Sequence, residues 1–221
     1  MLYDFHMHTT LSDGVLSPAE LIRRAITNGY TAMGIADHSG AGQLARIIEE
    51  VSLEKRLVKE HWDFDVLVGV ELTHVPPTAI AELAAEAKSL GADHVVIHGE
   101  TPVEPVPEGT NLAACRCADV DILAHPGALT EEAARAAAEN DIFVEISARQ
   151  GHCLGNGHVA RVALAAGAGL IVNSDAHAPG DLLTEEFAHT VASGAGLDND
   201  QVRRATVTNP QKLLLRAGVK P

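Results

Sequence analysis

The sequence predicts an α/β domain built on a mostly parallel sheet, and three observations predict it. Seven short strand-like runs recur with helical stretches between them, several runs are apolar on both faces, and histidines and carboxylates gather where the runs stop. The runs cover residues 2–5, 32–36, 65–72, 94–97, 121–124, 142–146 and 169–173. Val66-Leu67-Val68-Gly69-Val70 and Ile122-Leu123-Ala124 have no polar face, as parallel strands covered by helices require. No Pro/Gly/Ser-rich linker divides the 221 residues, so one domain over 1–221 is expected. The apolar share of 46% rests on Ala, Val, Leu and Ile, with only 3% aromatics, a balance that suits helices packed on a Val/Ile-rich sheet.

Between the runs, the first helix opens at Ser17-Pro18-Ala19-Glu20 and runs to Gly29. Ser17 can cap it, Pro18 fits the first helical position and Glu20 can close a capping box. Further helices are expected over about 42–61, 78–90, 130–140, 157–166 and 182–193, with a last one from Pro210 capped by Thr208-Asn209-Pro210. Gly29, Gly91 and Gly167 mark helix-to-strand turns on the face away from the polar strand ends.

Charge and cysteine usage narrow the setting. A net charge of −14 repels phosphate backbones and anionic membranes, so neither long nucleic acids nor membranes are expected partners. No apolar run approaches the roughly 20 residues of a membrane span, and the N-terminus lacks the features of a secretory signal, which predicts a cytoplasmic protein. Cys115, Cys117 and Cys153 are odd in number and lack framework spacing, so reduced thiols are expected.

The chemistry lies at the strand ends. His6 and His8 are two residues apart on a strand and point to one face, and Asp175 with His177 repeats that geometry. Asp13 follows in a Ser-Asp-Gly turn, while His38, Glu71, His98 and His125 each close a different strand. One zinc takes about four ligands, so these six imidazoles and three carboxylates would suit two or three divalent ions with bridging carboxylates. Mixed nitrogen and oxygen donors without cysteine favour zinc, manganese or iron over magnesium or calcium. Asp37 is expected to orient an imidazole from behind the ligands.

Arg149 follows the run ending at Ser147, where a guanidinium can clamp a phosphate in bidentate fashion. The Gly-rich loop behind it adds His152 and Asn156 as substrate-binding candidates. His61, His74, His94, His158 and His189 belong to no motif, so exposure or local hydrogen bonding is expected for each.

In order along the chain, His6-Met7-His8-Thr9, Ser12-Asp13-Gly14, Asp37-His38, Glu71, His98, His125 and Asp175-Ala176-His177 closely resemble the signature of the polymerase and histidinol phosphatase (PHP) superfamily. The resemblance spans nearly the entire chain and implies a distorted seven-stranded (β/α)7 barrel with mostly parallel strands. It implies that His6, His8, Glu71 and Asp175 hold one metal and that Glu71 bridges to a second held by His98 and His125. Asp13, His38 and His177 would hold a third, completing a trinuclear centre. The implied activity is that of a metal-dependent phosphoesterase on a small phosphomonoester, with histidinol phosphate and mononucleotides as plausible members of the class. A hydroxide bridging the metals would attack phosphorus, with Asp175, His38 and His177 serving the chemistry and either histidine a candidate proton source for the leaving alcohol. Two alternatives stand beside this: phosphodiester cleavage of short oligonucleotides or cyclic phosphodiesters, and a non-catalytic RNA- or protein-binding barrel such as an archaeal ribonuclease P subunit.

Overall fold

The computed structural model describes residues 1–220. Its strands are β1 (Tyr3–Asp4), β2 (Ala32–Ile35) with a short continuation β3 (His38–Ser39), β4 (Asp65–Leu72), β5 (His94–His98), β6 (Ile122–Ala124), β7 (Phe143–Ser147) and β8 (Leu170–Asn173). They pair in parallel in the order β1-β2-β4-β5-β6-β7-β8, which makes a nearly closed seven-stranded barrel. After a break at Ala36-Asp37, β3 resumes pairing with β4, setting His38 opposite Glu71. Between β1 and β8 the barrel closes on one parallel bridge, Met7 with Ala176, and on the Phe5 amide donating to the Asn173 side chain.

Around the barrel lie α1 (Pro18–Thr27), α2 (Leu44–His61), α3 (Ile80–Ser89), α4 (Thr110–Cys115), α5 (Glu131–Glu139), α6 (Asn156–Ala166), α7 (Glu185–Gly194), α8 (Asn199–Arg203) and α9 (Asn209–Arg216). Ser17 caps α1 by accepting from the Glu20 amide, but no capping box forms, because Arg24 takes the Glu20 carboxylate at 2.8 Å. Nor does Thr208 cap α9: the π-helical turn Arg204–Thr208 joins α8 to α9 without a free helix start. Neither α4 nor α8 was expected, since each is too short to show a helical period in the sequence. Cys115 and Cys117 are buried free thiols, and burial pushes Cys115 up to about 12.

Strand parity explains the two-faced apolar runs. One set of alternate residues, among them Phe5, Leu67, Val96, Ile122 and Phe143, fills the barrel interior together with Leu213 and Leu214 of α9. The other set, including Val66, Val68, Val95, Leu123 and Val144, packs under the helices. Each such buried side chain contributes about 1.5–3 kcal/mol relative to exposure. At the floor of the interior, His94 is fully buried and its Nε2 donates to the Phe5 carbonyl at 2.8 Å. Burial lowers the His94 pKa, which keeps the ring neutral. Gly34 and Gly69 make room for that ring: a Cβ at Gly69 would overlap His94 Cε1, and one at Gly34 would lie 2.7 Å from it.

Candidate metal centre

All nine candidate ligands, Asp13 from its turn and the others from strand ends, meet at the mouth where the strands finish. Glu71, at the end of β4, is their hub. Its Oε1 lies 3.3 Å from His6 Nε2, 3.1 Å from His98 Nδ1 and 3.5 Å from His125 Nε2, while Oε2 lies 2.5 Å from His38 Nδ1 and 3.7 Å from His8 Nε2. Asp175 faces His8 Nε2 at 3.2 Å and His125 Nε2 at 3.6 Å. Asp13 faces His177 Nε2 at 3.1 Å and His38 Nε2 at 3.6 Å. Ligand atoms therefore gather in overlapping groups: His6 with His8 and Asp175, His6 with Glu71 and His125, His38 with Glu71 and His98, and Asp13 with His8, His38 and His177. Relative to the division that the resemblance implies, His8 also joins the Asp13 group and His6 also joins Glu71 and His125.

Backbone shape aims two of these side chains. His125 has φ of 25° and Asp175 has φ of 54°, a left-handed region that costs a non-glycine residue about 1–3 kcal/mol unless its surroundings hold it. Here the surroundings include Glu145, a buried carboxylate of β7 that the strand-end reading of the sequence passed over. Its Oε1 accepts from the His125 amide at 3.3 Å, and its Oε2 faces His6 Nδ1 at 2.7 Å and accepts from Asn173 Nδ2 at 3.0 Å. The available signal was a charged residue inside the apolar run Phe143-Val144-Glu145-Ile146, in register with interior positions. Asp37 touches no imidazole. It accepts from Thr9 N and Oγ1, both at 2.7 Å, and from Ser12 Oγ at 2.5 Å, and so ties the turn that carries Asp13 to the strand that carries His8.

Burial and neighbouring charge compete at every ionisable group. Burial opposes ionisation of Glu71, yet His6, His38 and His98 hold its carboxyl well below the usual range; Asp175 and Glu145 are lowered against burial by His6 and other imidazoles. Asp13 is lowered by His177 and His38. Glu145, Glu71 and Asp175 overcome burial to raise His6 well above its ordinary value, Glu71 raises His98, and Glu71 takes His38 to about 9. At His8 burial wins and pushes the ring down to about 4, while Asp4, buried beneath the site, is pushed up to about 7.

The side chains fit divalent cations on an independent ground. His6 Nε2, both nitrogens of His8, His98 Nε2 and both nitrogens of His125 are buried without a hydrogen-bond partner. Each such group costs about 1–3 kcal/mol when left unpaired. Imidazole nitrogens facing carboxylate oxygens without hydrogen bonds are a donor set for zinc, manganese or iron.

Beside the cluster opens a cavity of about 680 Å³, walled by Arg149, His152, His177, Glu104, Val103 and Phe187 among others. Arg149 is held in place by the Asp175 carbonyl, 3.1 Å from Nη1, and lies 3.7 Å from the Asp175 carboxylate. His152 is buried, pushed down to about 4 by burial and His125, and its Nε2 lies 3.4 Å from Glu104. Asn156 does not line the cavity: its Oδ1 accepts from the Ser147 amide and its Nδ2 donates to the Ser147 carbonyl, bracing the end of β7. Of the remaining histidines, His158 meets the Leu129 carbonyl at 2.8 Å and His74 faces Glu104 at 3.4 Å.

A parallel (β/α)7 barrel with histidine and carboxylate side chains collected at one mouth is a PHP-like fold carrying groups that could bind metal. The chain belongs to the PHP family: the PHP domain matches residues 4–101. It is 49% identical to an uncharacterized protein of Methanocaldococcus jannaschii, over 98% of this chain and all of that one. Ribonuclease P protein component 3 of Methanosarcina acetivorans is 25% identical, over 97% of this chain and 89% of its own. Among solved structures, a chain of archaeal ribonuclease P with mature tRNA superposes with a TM-score of 0.74 at 13% identity, covering 97% of this chain and 90% of its own. A candidate histidinol phosphatase of Listeria monocytogenes superposes with a TM-score of 0.59 at 12% identity, covering 81% and 97%.

Proposed function

We propose that the chain is a metal-dependent phosphoesterase that hydrolyses a small phosphomonoester. The observation that carries this reading is the complete set of nine candidate ligands, with unpartnered imidazole nitrogens turned inward, beside an open cavity with an arginine in its wall. His6, His8, Asp13, His38, Glu71, His98, His125, Asp175 and His177 would hold two or three zinc, manganese or iron ions. When bound, such ions supply positive charge to phosphoryl oxygens and a nucleophile from water at neutral pH.

The chain's own residues do the rest. Arg149 receives the phosphate oxygens, held in place by the Asp175 carbonyl. Of the two histidines expected to pass a proton to the leaving alcohol, His177 lines the cavity and His38 does not, which favours His177 Nε2. Val103, Ala148 and Phe187 offer apolar wall to the organic part of the substrate, and about 680 Å³ suits a small molecule.

The test is a panel of phosphomonoesters and phosphodiesters given to protein stripped with a chelator and reloaded with each metal. Monoester turnover that disappears on chelation is expected; cleavage confined to diesters would overturn the monoester assignment. Arg149→Ala should raise KM about tenfold or more with metal content unchanged, the loss of one charge-assisted contact. A second reading draws on the ribonuclease P component 3 relative: a non-catalytic barrel that binds RNA or protein. A full ligand set and a net charge of −14 weigh against it, and an inert, metal-free protein that retains RNA would establish it.

A further inference from the structure

At the end of the barrel opposite the mouth, the charge of the chain reverses. Between Gln201 and Lys220 stand five of its 16 Lys and Arg, namely Arg203, Arg204, Lys212, Arg216 and Lys220, and none of its 30 Asp and Glu. This segment holds α8, the π-helical turn Arg204–Thr208 and α9, and it packs against β8 near its start at Leu170. Two adjoining cavities open there, of about 260 and 130 Å³, and Gly169, Asn209 and Lys212 line both. Arg204 lines the larger; Arg216 and Asp141 line the smaller.

We propose that the larger cavity is a binding site for the phosphate group of a small molecule, built from Arg204, Lys212, the Asn209 side chain and the Gly169 amide. Its cations are unspent. Among the described residues neither Arg204 nor Lys212 has an ion-pair or hydrogen-bond partner for its side chain, whereas Arg216 next door is taken: it donates to the Asp141 carbonyl at 2.6 Å and lies over the Phe143 ring. Its neutral donors are unspent too. Asn209 is 5% exposed, and its Nδ2 gives one hydrogen to the Leu170 carbonyl at 2.7 Å, which fixes the group and leaves the second hydrogen over. The Gly169 N–H has no partner among the described residues, and Gly169 is only partly buried. A Cβ at Gly169 would lie 2.9 Å from Phe143 Cδ1 and 3.6 Å from Asn209 Nδ2, so glycine lets this turn sit tight against both.

These donors select an oxyanion. Guanidinium, ammonium and N–H groups converge on one cavity, and no carboxylate stands among the described residues that line it, which describes a site for phosphate rather than for a cation. A net charge of −14 repels anions over most of the surface, so a segment with five uncompensated cations is where one would be drawn in. A volume of about 260 Å³ is several times the ~30 Å³ share of a water molecule, which leaves room for a phosphate and part of the group it is attached to. Single π-helical turns, like the one that carries Arg204, occur frequently at functional sites. The site lies at the opposite end of β8 from Asp175, and the inference does not rest on phosphoester hydrolysis.

Amide NMR and calorimetry on metal-stripped, full-length Arg149→Ala protein test it, because that background removes the candidate phosphate contact at the mouth. Inorganic phosphate and pyrophosphate are the probes, and the tighter binder tells a monophosphate ligand from a diphosphate. One equivalent is expected to bind, with the Gly169 N–H signal moving on titration while that of His8 at the mouth stays still. Arg204→Ala and Lys212→Ala change exposed side chains, so folding should persist, and each should weaken binding about tenfold through loss of one charge-assisted contact. Lys212→Arg should keep the affinity within about threefold, since it retains the charge. The site is overturned if neither probe binds, if both alanine variants bind within about twofold of their parent, or if the Gly169 signal stays fixed while signals at the mouth move. A phosphoesterase reading that fails leaves these readings untouched, since they are taken without metal and without turnover.

Discussion

His94 and His98 are buried four residues apart at opposite ends of β5, and the contrast between them is that between the floor and the mouth of the barrel. At the floor, the His94 ring fills space left by Gly34 and Gly69, and its Nε2 is paired with the Phe5 carbonyl. Its Nδ1 alone there lacks a partner, whereas at the mouth seven nitrogens of His6, His8, His98, His125 and His152 lack one. A single unpaired nitrogen in a packed interior is a tolerable cost of about 1–3 kcal/mol; seven in one place, beside a cavity, point to a ligand. Buried histidine by itself therefore carries no functional meaning, and the number of unpaired neighbours does.

The sharpest way to break this comparison is to remove the hub. Glu71→Ala should lower turnover by ~10³-fold or more, the several kcal/mol expected from losing a metal contact, and elemental analysis should show at least one ion missing. Normal metal content in that variant would dissolve the distinction between the two ends. Next in size, Glu145→Gln frees His6 Nδ1 from its carboxylate partner, and metal affinity measured by competition with a chelator should weaken about 10–100-fold. Floor substitutions should do the reverse. Gly69→Ala forces the His94 ring aside and should destabilise by about 1–3 kcal/mol, a drop of roughly 2–4 °C in Tm per kcal/mol, with metal stoichiometry unchanged.

Smallest is a pH effect. The His94 pKa is lower in the folded protein than its ordinary 6.5, so below about pH 6.5 the unfolded chain takes up a proton there that the folded chain refuses. Stability from keeping His94 neutral is present above pH 6.5 and is lost as pH falls toward the folded pKa. The acid slope of Tm against pH in metal-free protein should therefore be shallower in His94→Phe; an unchanged slope would show that the floor does not exclude the charged ring.

The barrel was legible because parallel strands write both faces in apolar residues and end abruptly, as 65–72 and 122–124 do. The nine candidate ligands were legible because eight sit on strand ends, at two-residue spacing or in ordered single positions, and Asp13 sits in a Ser-Asp-Gly turn close behind the first pair. What the sequence did not disclose depends on partners distant in the chain. Glu145 reads as one charge in an apolar strand until His6, 139 residues away, is set against it. Glu104, 3.4 Å from His152 Nε2 in the cavity wall, lies in an irregular loop that shares no periodicity with the strands. Asn156 was read from a Gly-rich loop, and only its two hydrogen bonds to Ser147 show that it braces backbone.

The bridge between Met7 and Ala176 gives the mouth a mechanical meaning. His6 and His8 flank one side of that joint, and Asp175 and His177 flank the other, so four of the nine candidate ligands straddle the weakest backbone junction of the barrel. Cations bound there would act as a clasp between the first and the last strand of the barrel. A chelator would then do more than empty a pocket: it would slacken a hoop, and amide hydrogen exchange at His8, whose N–H donates to Ala176, is where that slack would first register.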